Sequence, residues 1–327
     1  MKGTEKSGIL ARILYRVILP YSAMCRLLPP TCVLLFGKIA GTLAFVLDIR
    51  HRRTVIRNLA FAFGRPRNDT TIRRLALRNF QQFAITAHEW LRLKDFQIEA
   101  LYPLISVDGL EHLFNAKSKS KSVILIGAHF GNWEYAHLYY GKKINRLNFI
   151  VRPIDNPFLE MERVKYNNKA GVAILYKSNG LRTALKNMRK GEDLILFVDR
   201  NTNLKEGVPC SFFGKKAPSL TIAALLANRF NLPIVPMFII RQACTIRHRI
   251  VFMPEIEIEK GSKFNLERAV QIMCETVESM VRRYPDHWIW FHKRWKHFYP
   301  ELYPEDMARR ERRRAKRKKQ YLRTMGN

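Results

Sequence analysis

His129 and Glu134 lie in the run Gly127-Ala128-His129-Phe130-Gly131-Asn132-Trp133-Glu134, and their types and spacing suit proton transfer. An imidazole titrates near neutral pH, and a carboxylate that holds one ring nitrogen protonated leaves the other free to act as a base. Gly131 permits a tight turn between the two. No Gly-x-Ser-x-Gly run occurs and no cysteine neighbours the pair, so the hydroxyl that His129 would activate has to arrive on the substrate. A satisfied structural histidine would leave the same local pattern, and the pair alone does not separate the two readings.

Further polar residues follow apolar runs in the same way. Arg152 comes directly after 147–151 and precedes Pro153, Asp155, Asn156 and Pro157; a guanidinium there suits an anionic group, or else a surface ion pair. Asp199 and Arg200 follow 193–198 and lead into 201–214 with Phe212 and Phe213, where they are either site residues or a loop salt bridge. With Asn132 of the histidine turn, Arg152, Asp199 and Arg200 are the candidate substrate contacts. No spacing suggests a metal site.

These residues need a scaffold that brings strand ends together. From residue 122 onward, short apolar runs at 122–127, 147–151, 172–175, 193–198, 234–240 and 248–253 read as buried strands. Helix patterns at 157–169, 179–190 and 219–230 alternate with them. This predicts an α/β fold, a mixed and mostly parallel sheet flanked by helices, with sites at the carboxyl ends of strands. Long amphipathic helices are expected at 70–91 and 265–284.

The 327 residues carry 58 Lys+Arg against 27 Asp+Glu, a net charge of +31. With 47% hydrophobic residues, a packed core is affordable and disorder is excluded. The charge favours anionic partners. Five cysteines without a Cys-x-x-Cys pair indicate buried thiols in a reducing compartment.

The ends differ from the middle. Residues 27–47 carry one charge, Lys38, and form a candidate membrane helix, spanning or dipping in; a buried helix of a soluble domain is the other reading. A basic amphipathic stretch precedes it and a basic collar, Arg50 to Arg53 and Arg57, follows, which the positive-inside bias places in the cytoplasm. Residues 309–323 hold ten basic residues and one acid, Glu311. No nucleic-acid-binding motif accompanies that run, so anionic membrane lipids are its expected partner and specific nucleic-acid binding is not. Three regions follow: an anchor at 1–50, a catalytic domain at 51–304 and a basic tail at 305–327.

Five ordered blocks carry a resemblance: Arg52-Arg53 with Asn58-Leu59 after the hydrophobic N-terminus, GAHFGNWE, VRPIDNP, residues 207–217 with their FFG, and PDHWIWFHKRWK from Pro285 to Lys296. Together they resemble the late acyltransferases of lipid A biosynthesis, within the lysophospholipid acyltransferase superfamily. The resemblance implies a glycerolipid acyltransferase-like fold, an acyl carrier protein thioester as donor, a hydroxyl of a glycolipid as acceptor, no cofactor, and a bacterial inner-membrane location. It also implies His129 as general base with Glu134 as its partner. Asp199-Arg200 departs from the Asp-Gln found in many members. Another lipid acceptor, a hydrolase acting through water, and a membrane-tethered nucleic-acid binder are the competing functions.

Overall fold

The computed structural model describes residues 2–93, 98–243 and 245–308 together with 311 and 314, and for residues 2–10 and 30 the backbone alone. Most of the basic tail and Cys244 lie outside the described residues.

Four helices come first: α1 (Lys2–Leu27), α2 (Pro30–Leu47), α3 (Ile49–Phe63) and α4 (Thr70–Leu91). Their ends follow from local chemistry. Pro30 starts α2, where the missing N–H costs nothing. Asp48 accepts from His51 N (3.0 Å) to cap α3, and Asp69 accepts from Thr71 N (2.7 Å) to cap α4. There follow β1 (Ile105–Asp108), α5 (Leu110–Lys119), β2 (Ile124–Gly127), α6 (Trp133–Lys143), β3 (Leu147–Val151), α7 (Pro157–Lys169), β4 (Val172–Tyr176), α8 (Gly180–Met188) and β5 (Asp193–Phe197). The chain ends with β6 (Gly207–Phe212), β7 (Lys215–Leu220), α9 (Ile222–Phe230), β8 (Ile234–Arg241), β9 (His248–Phe252) and α10 (Leu266–Arg283).

Seven strands form one sheet in the order β1-β9-β8-β2-β5-β3-β4. All neighbouring pairs are parallel except β8 with β9, so the expected mixed, mostly parallel sheet is present. Its central strands β2 and β8 are buried throughout, as a sheet covered on both faces requires. β2 and β5 lie side by side with Gly127 opposite Phe197. The residues just beyond those two, including His129 and Asp199, therefore emerge next to each other.

Three features differ from expectation. β1 went unread. Residues 207–220 form a separate antiparallel hairpin of β6 and β7, so Ser219 belongs to a strand and α9 starts only at Ile222. And residues 27–47 are not one free apolar helix. α2 packs on α4 through Gly37 and Gly41, where an added Cβ would meet Ile85 and the backbone of Phe80 and Gln81; glycine allows this close approach. The opposite face exposes Leu35, Phe36, Ile39, Leu43, Val46 and Leu47. Among the described residues no single helix is long and apolar enough to cross a membrane; Thr31–Leu47 and Ile49–Phe63 pass such a test only as a pair bent by 93°.

Candidate active site

The turn after β2 places His129. Gly131 takes φ +59°, and a Cβ there would collide with the carbonyl oxygen of Ile239; this is a glycine position on both counts. Asn132 then caps α6, its Oδ1 accepting from Tyr135 N (3.2 Å).

The segment after α10 clamps this turn. Gly131 N donates to His287 O (2.9 Å) and Ile289 N to His129 O (3.0 Å). Asn79 of α4 holds the same segment from outside, its Nδ2 donating to the carbonyls of Asp286 (2.9 Å) and Trp288 (2.7 Å). Asn58 of α3 does likewise with Trp290 O (2.7 Å) and His292 O (2.9 Å). Buried carbonyls need such donors, which accounts for two asparagines deep inside helices.

The carboxylate beside His129 is Asp199. Nδ1 of His129 lies 3.0 Å from Asp199 Oδ1, and the His129 backbone N–H donates to Oδ2 (2.9 Å). Trp288 Nε1 also donates to Oδ2 (2.9 Å). Burial alone would raise the Asp199 pKa, but His129 and the donated hydrogen bonds outweigh it and hold the group well below the usual carboxylate range. An ionised Asp199 can only accept, so Nδ1 carries the proton and Nε2 is left as the base. Phe197 and Trp133 stand edge-on to the imidazole at 4.8 and 5.4 Å between centroids, fixing its plane.

Glu134, expected as the partner of His129, points elsewhere: its Oε2 accepts from Tyr166 OH (3.2 Å). Burial raises its pKa, with Arg163 opposing. The physical reason is geometric. Glu134 lies in the first turn of α6 and faces α7, whereas Nδ1 of the imidazole turns toward the end of β5.

The other expected contacts are dispersed. Asn132 is buried, and its Nδ2 donates to Glu89 Oε2 (2.8 Å); both ends of its amide serve the scaffold. That Glu89 is chelated by Arg241, whose Nη2 donates to Oε2 (2.7 Å) while Nη1 donates to Oε1. Arg152 is exposed and pairs with Asp155 (2.7 Å); it does not line the His129 cleft. The Arg200 side chain is exposed beside Asp199, and its carbonyl accepts from Arg294 Nη1 (2.7 Å).

The sequence reading missed Trp288 and Arg294 as individual residues, although it singled out the block containing them. Arg294 is fully buried and also donates to Pro218 O and Ser219 Oγ, tying the β6–β7 hairpin to the loop after β5. Beneath it, Cys210 and Cys274 bring their sulfurs to 2.7 Å. Both are free thiols; the hydrogen bond with Cys274 pulls the Cys210 pKa below that of an ordinary thiol.

His129 opens into a cleft lined by Gln82, Phe83 and Thr86 of α4, by Trp133, and by Asp286 to Ile289. Its lining holds no serine or cysteine, and its one hydroxyl, Thr86 Oγ1, accepts from Arg241 Nη2 (3.4 Å). Among the described residues no cluster of His, Cys, Asp and Glu could hold a metal ion. The arrangement suits proton abstraction from a hydroxyl that the ligand brings.

Comparison with known proteins agrees in kind. The family model for bacterial lipid A biosynthesis acyltransferases matches residues 4–297. The lipid A biosynthesis palmitoleoyltransferase of Escherichia coli (strain K12) is 22% identical over 282 residues, 86% of this chain and 87% of that protein. The lauroyltransferase of the same organism is 22% identical over 287 residues, 87% and 89% of the two chains. A phosphatidylinositol mannoside acyltransferase of Mycolicibacterium smegmatis is 20% identical over 245 residues, 73% of this chain and 78% of that one.

Proposed function

The chain belongs to the bacterial lipid A biosynthesis acyltransferase family, and from that premise we propose that it moves a fatty acyl chain from an acyl carrier protein thioester to a hydroxyl of a lipid A precursor, as a late acylation. The observation that carries the mechanism is the bond between His129 Nδ1 and the buried Asp199 carboxylate, which leaves Nε2 as a base at a cleft whose lining offers no serine or cysteine nucleophile.

His129 Nε2 takes the proton of the acceptor hydroxyl as its oxygen attacks the thioester carbonyl, and Asp199 stabilises the imidazolium that forms. The tetrahedral intermediate then expels the thiolate, which takes the proton from His129 and leaves as the thiol. No acyl-enzyme is formed. General-base help contributes about 10² to 10⁴ in rate; positioning and stabilisation of the oxyanion supply the rest. Glu134, whose pKa burial raises while the hydrogen bond from Tyr166 opposes it, acts in this scheme on the α6–α7 wall of the site. Arg200, beside Asp199 at the rim, remains a candidate for contacting the acceptor, and Arg152 for contacting an anionic group farther out.

The exposed apolar face of α2, with the basic collar behind it, supports a location at the cytoplasmic side of a bacterial inner membrane. The net charge of +31 favours both an acidic carrier protein and a phosphorylated lipid. The test is transfer by the purified protein from acyl carrier protein thioesters of several chain lengths to a tetra-acylated lipid A precursor, read by product mass. Free fatty acid without acylated product would make it a hydrolase. Product only with a mannosylated phosphoinositide would move the acceptor to another lipid class.

A further inference from the structure

Two adjoining depressions rimmed by arginines lie on the surface between α3 and α4. An open basin of about 420 Å³ is lined by Phe45, Ile56 and Leu77 together with Arg52, Arg73 and Arg74. A second basin shares Ile56 and Arg73 and adds Arg53, Arg57 and Arg67. Six arginines thus line two adjoining depressions, with Arg73 common to both. Arg57 is paired with Glu305 (2.7 Å), and Arg52 donates to the carbonyls of Phe45 (3.0 Å) and Val46 (3.1 Å) at the end of α2. Arg53, Arg67, Arg73 and Arg74 have no acidic partner among the described residues. Clustered like charges repel and cost stability unless something answers them.

The basin and the His129 cleft are both lined by residues of α4. Arg74 and Leu77 lie on α4 ahead of Gln82, Phe83 and Thr86, so the two sites are separated by about 13 Å of helix between Arg74 and Phe83. Between them runs a chain of aromatic contacts, Phe45 to Phe80 (5.5 Å), Phe80 to Phe291 (4.7 Å) and Phe291 to Phe83 (5.0 Å), with Phe80 buried beneath and Phe83 exposed. The exposed apolar face of α2 ends at Val46 and Leu47, beside the arginines. A ligand suited to this relief is an amphiphile with a phosphate on a sugar headgroup, its chains lying along apolar surface.

We propose that this arginine basin binds a phosphate of the acyl acceptor and sets which hydroxyl reaches His129. The proposal rests on the acceptor being a phosphorylated glycolipid, as read above. Arginine suits the role because its planar donors match phosphate oxygens two at a time.

The experiment measures equilibrium binding of a tetra-acylated disaccharide bisphosphate, and of the same glycolipid after enzymatic removal of its phosphates, to full-length protein in neutral detergent. Arg73→Ala/Arg74→Ala should weaken binding of the phosphorylated lipid about tenfold and of the dephosphorylated lipid less than about threefold. Arg73→Lys/Arg74→Lys should fall between, since charge is kept and the fork lost. Inorganic phosphate should compete in the wild type, which gives a reading independent of any variant. Equal weakening of both lipids, or of neither, overturns the proposal. So does lost binding to phosphatidylglycerol vesicles with glycolipid binding intact, which would make the basin a general headgroup contact. Because binding is read without turnover, a wild type that binds the bisphosphate yet transfers no acyl group sinks the proposed function and not the basin.

Discussion

His129 and Asp199 stand 70 residues apart in sequence, yet the histidine's Nδ1 and backbone N–H both face one buried carboxylate, at 3.0 Å from Oδ1 and 2.9 Å from Oδ2. Ring orientation and turn conformation are thereby fixed by the same acid. If that acid sets the tautomer, His129→Ala should lose about 10² to 10⁴ in kcat, Asp199→Asn should lose within about tenfold of that, and the double variant should be little worse than the worse single. Glu134→Gln, acting through Tyr166, should multiply its loss with either. Transfer kinetics with thermal melts alongside decide this, and a folded Asp199→Asn enzyme with near wild-type turnover removes Asp199 from the relay.

Trp288 completes the shell of Asp199 by donating its indole N–H. Trp288→Phe keeps most of the ring and removes one hydrogen bond to a buried charge, a loss of about 1.5–3 kcal/mol. The expectation is a lower denaturation midpoint together with reduced kcat and a nearly unchanged donor KM. Unaltered stability would mean that the indole only fills space.

The elements that position the site were largely legible in the sequence. α4 and α7 occupy the residues their patterns predict, because Asp69 and Asn156 cap them and Pro157 opens α7. The β6–β7 hairpin was not legible: Pro209, Pro218, Lys215 and Lys216 break any alternation, and its turn uses Phe213 and Gly214 at positive φ. His129 and Asp199 each stand at a strand end in the sequence pattern, but local spacing pairs the histidine with the acid five residues away. Choosing correctly needs the strand order, since only the adjacency of β2 and β5 brings those two ends together. The same holds for Cys210 and Cys274, which share no local pattern and meet only through packing.

α2 carries a membrane prediction that does not require removing it. Deleting residues 1–50 would strip α2 from α4 and confuse unfolding with release. Leu35, Ile39 and Leu43 are 58%, 48% and 55% exposed, so a triple change to glutamine leaves the α4 contact intact. Each loses up to about 1.5–3 kcal/mol of apolar transfer if its side chain enters lipid. The triple variant should leave the membrane pellet in 1 M salt, where surface charge is screened beyond about 3 Å. Sedimentation unchanged from wild type would rule out this face as the attachment.

His137 gives the protein a predictable acid limit. It is fully buried against Phe149 (4.5 Å) and Phe197 (5.6 Å), both ring nitrogens lack a partner, and burial, reinforced by His129, pushes its pKa down to about 3. His292, held down to about 4 chiefly by burial, acts in the same direction. In the unfolded chain a histidine titrates near 6.5, so below that pH the unfolded state binds more protons and stability falls as pH drops. The loss begins near pH 6.5 and continues to the folded pKa; at pH 5 it amounts to about 2 kcal/mol for His137. Asp199 and Glu89 work in the same direction at lower pH, being held ionised when folded. Melting temperature should therefore decline from pH 7 to pH 5, before the carboxylates contribute. His137→Phe, which suits its aromatic surroundings, should flatten that decline, and an equally steep pH dependence in the variant would show that His137 is not its source.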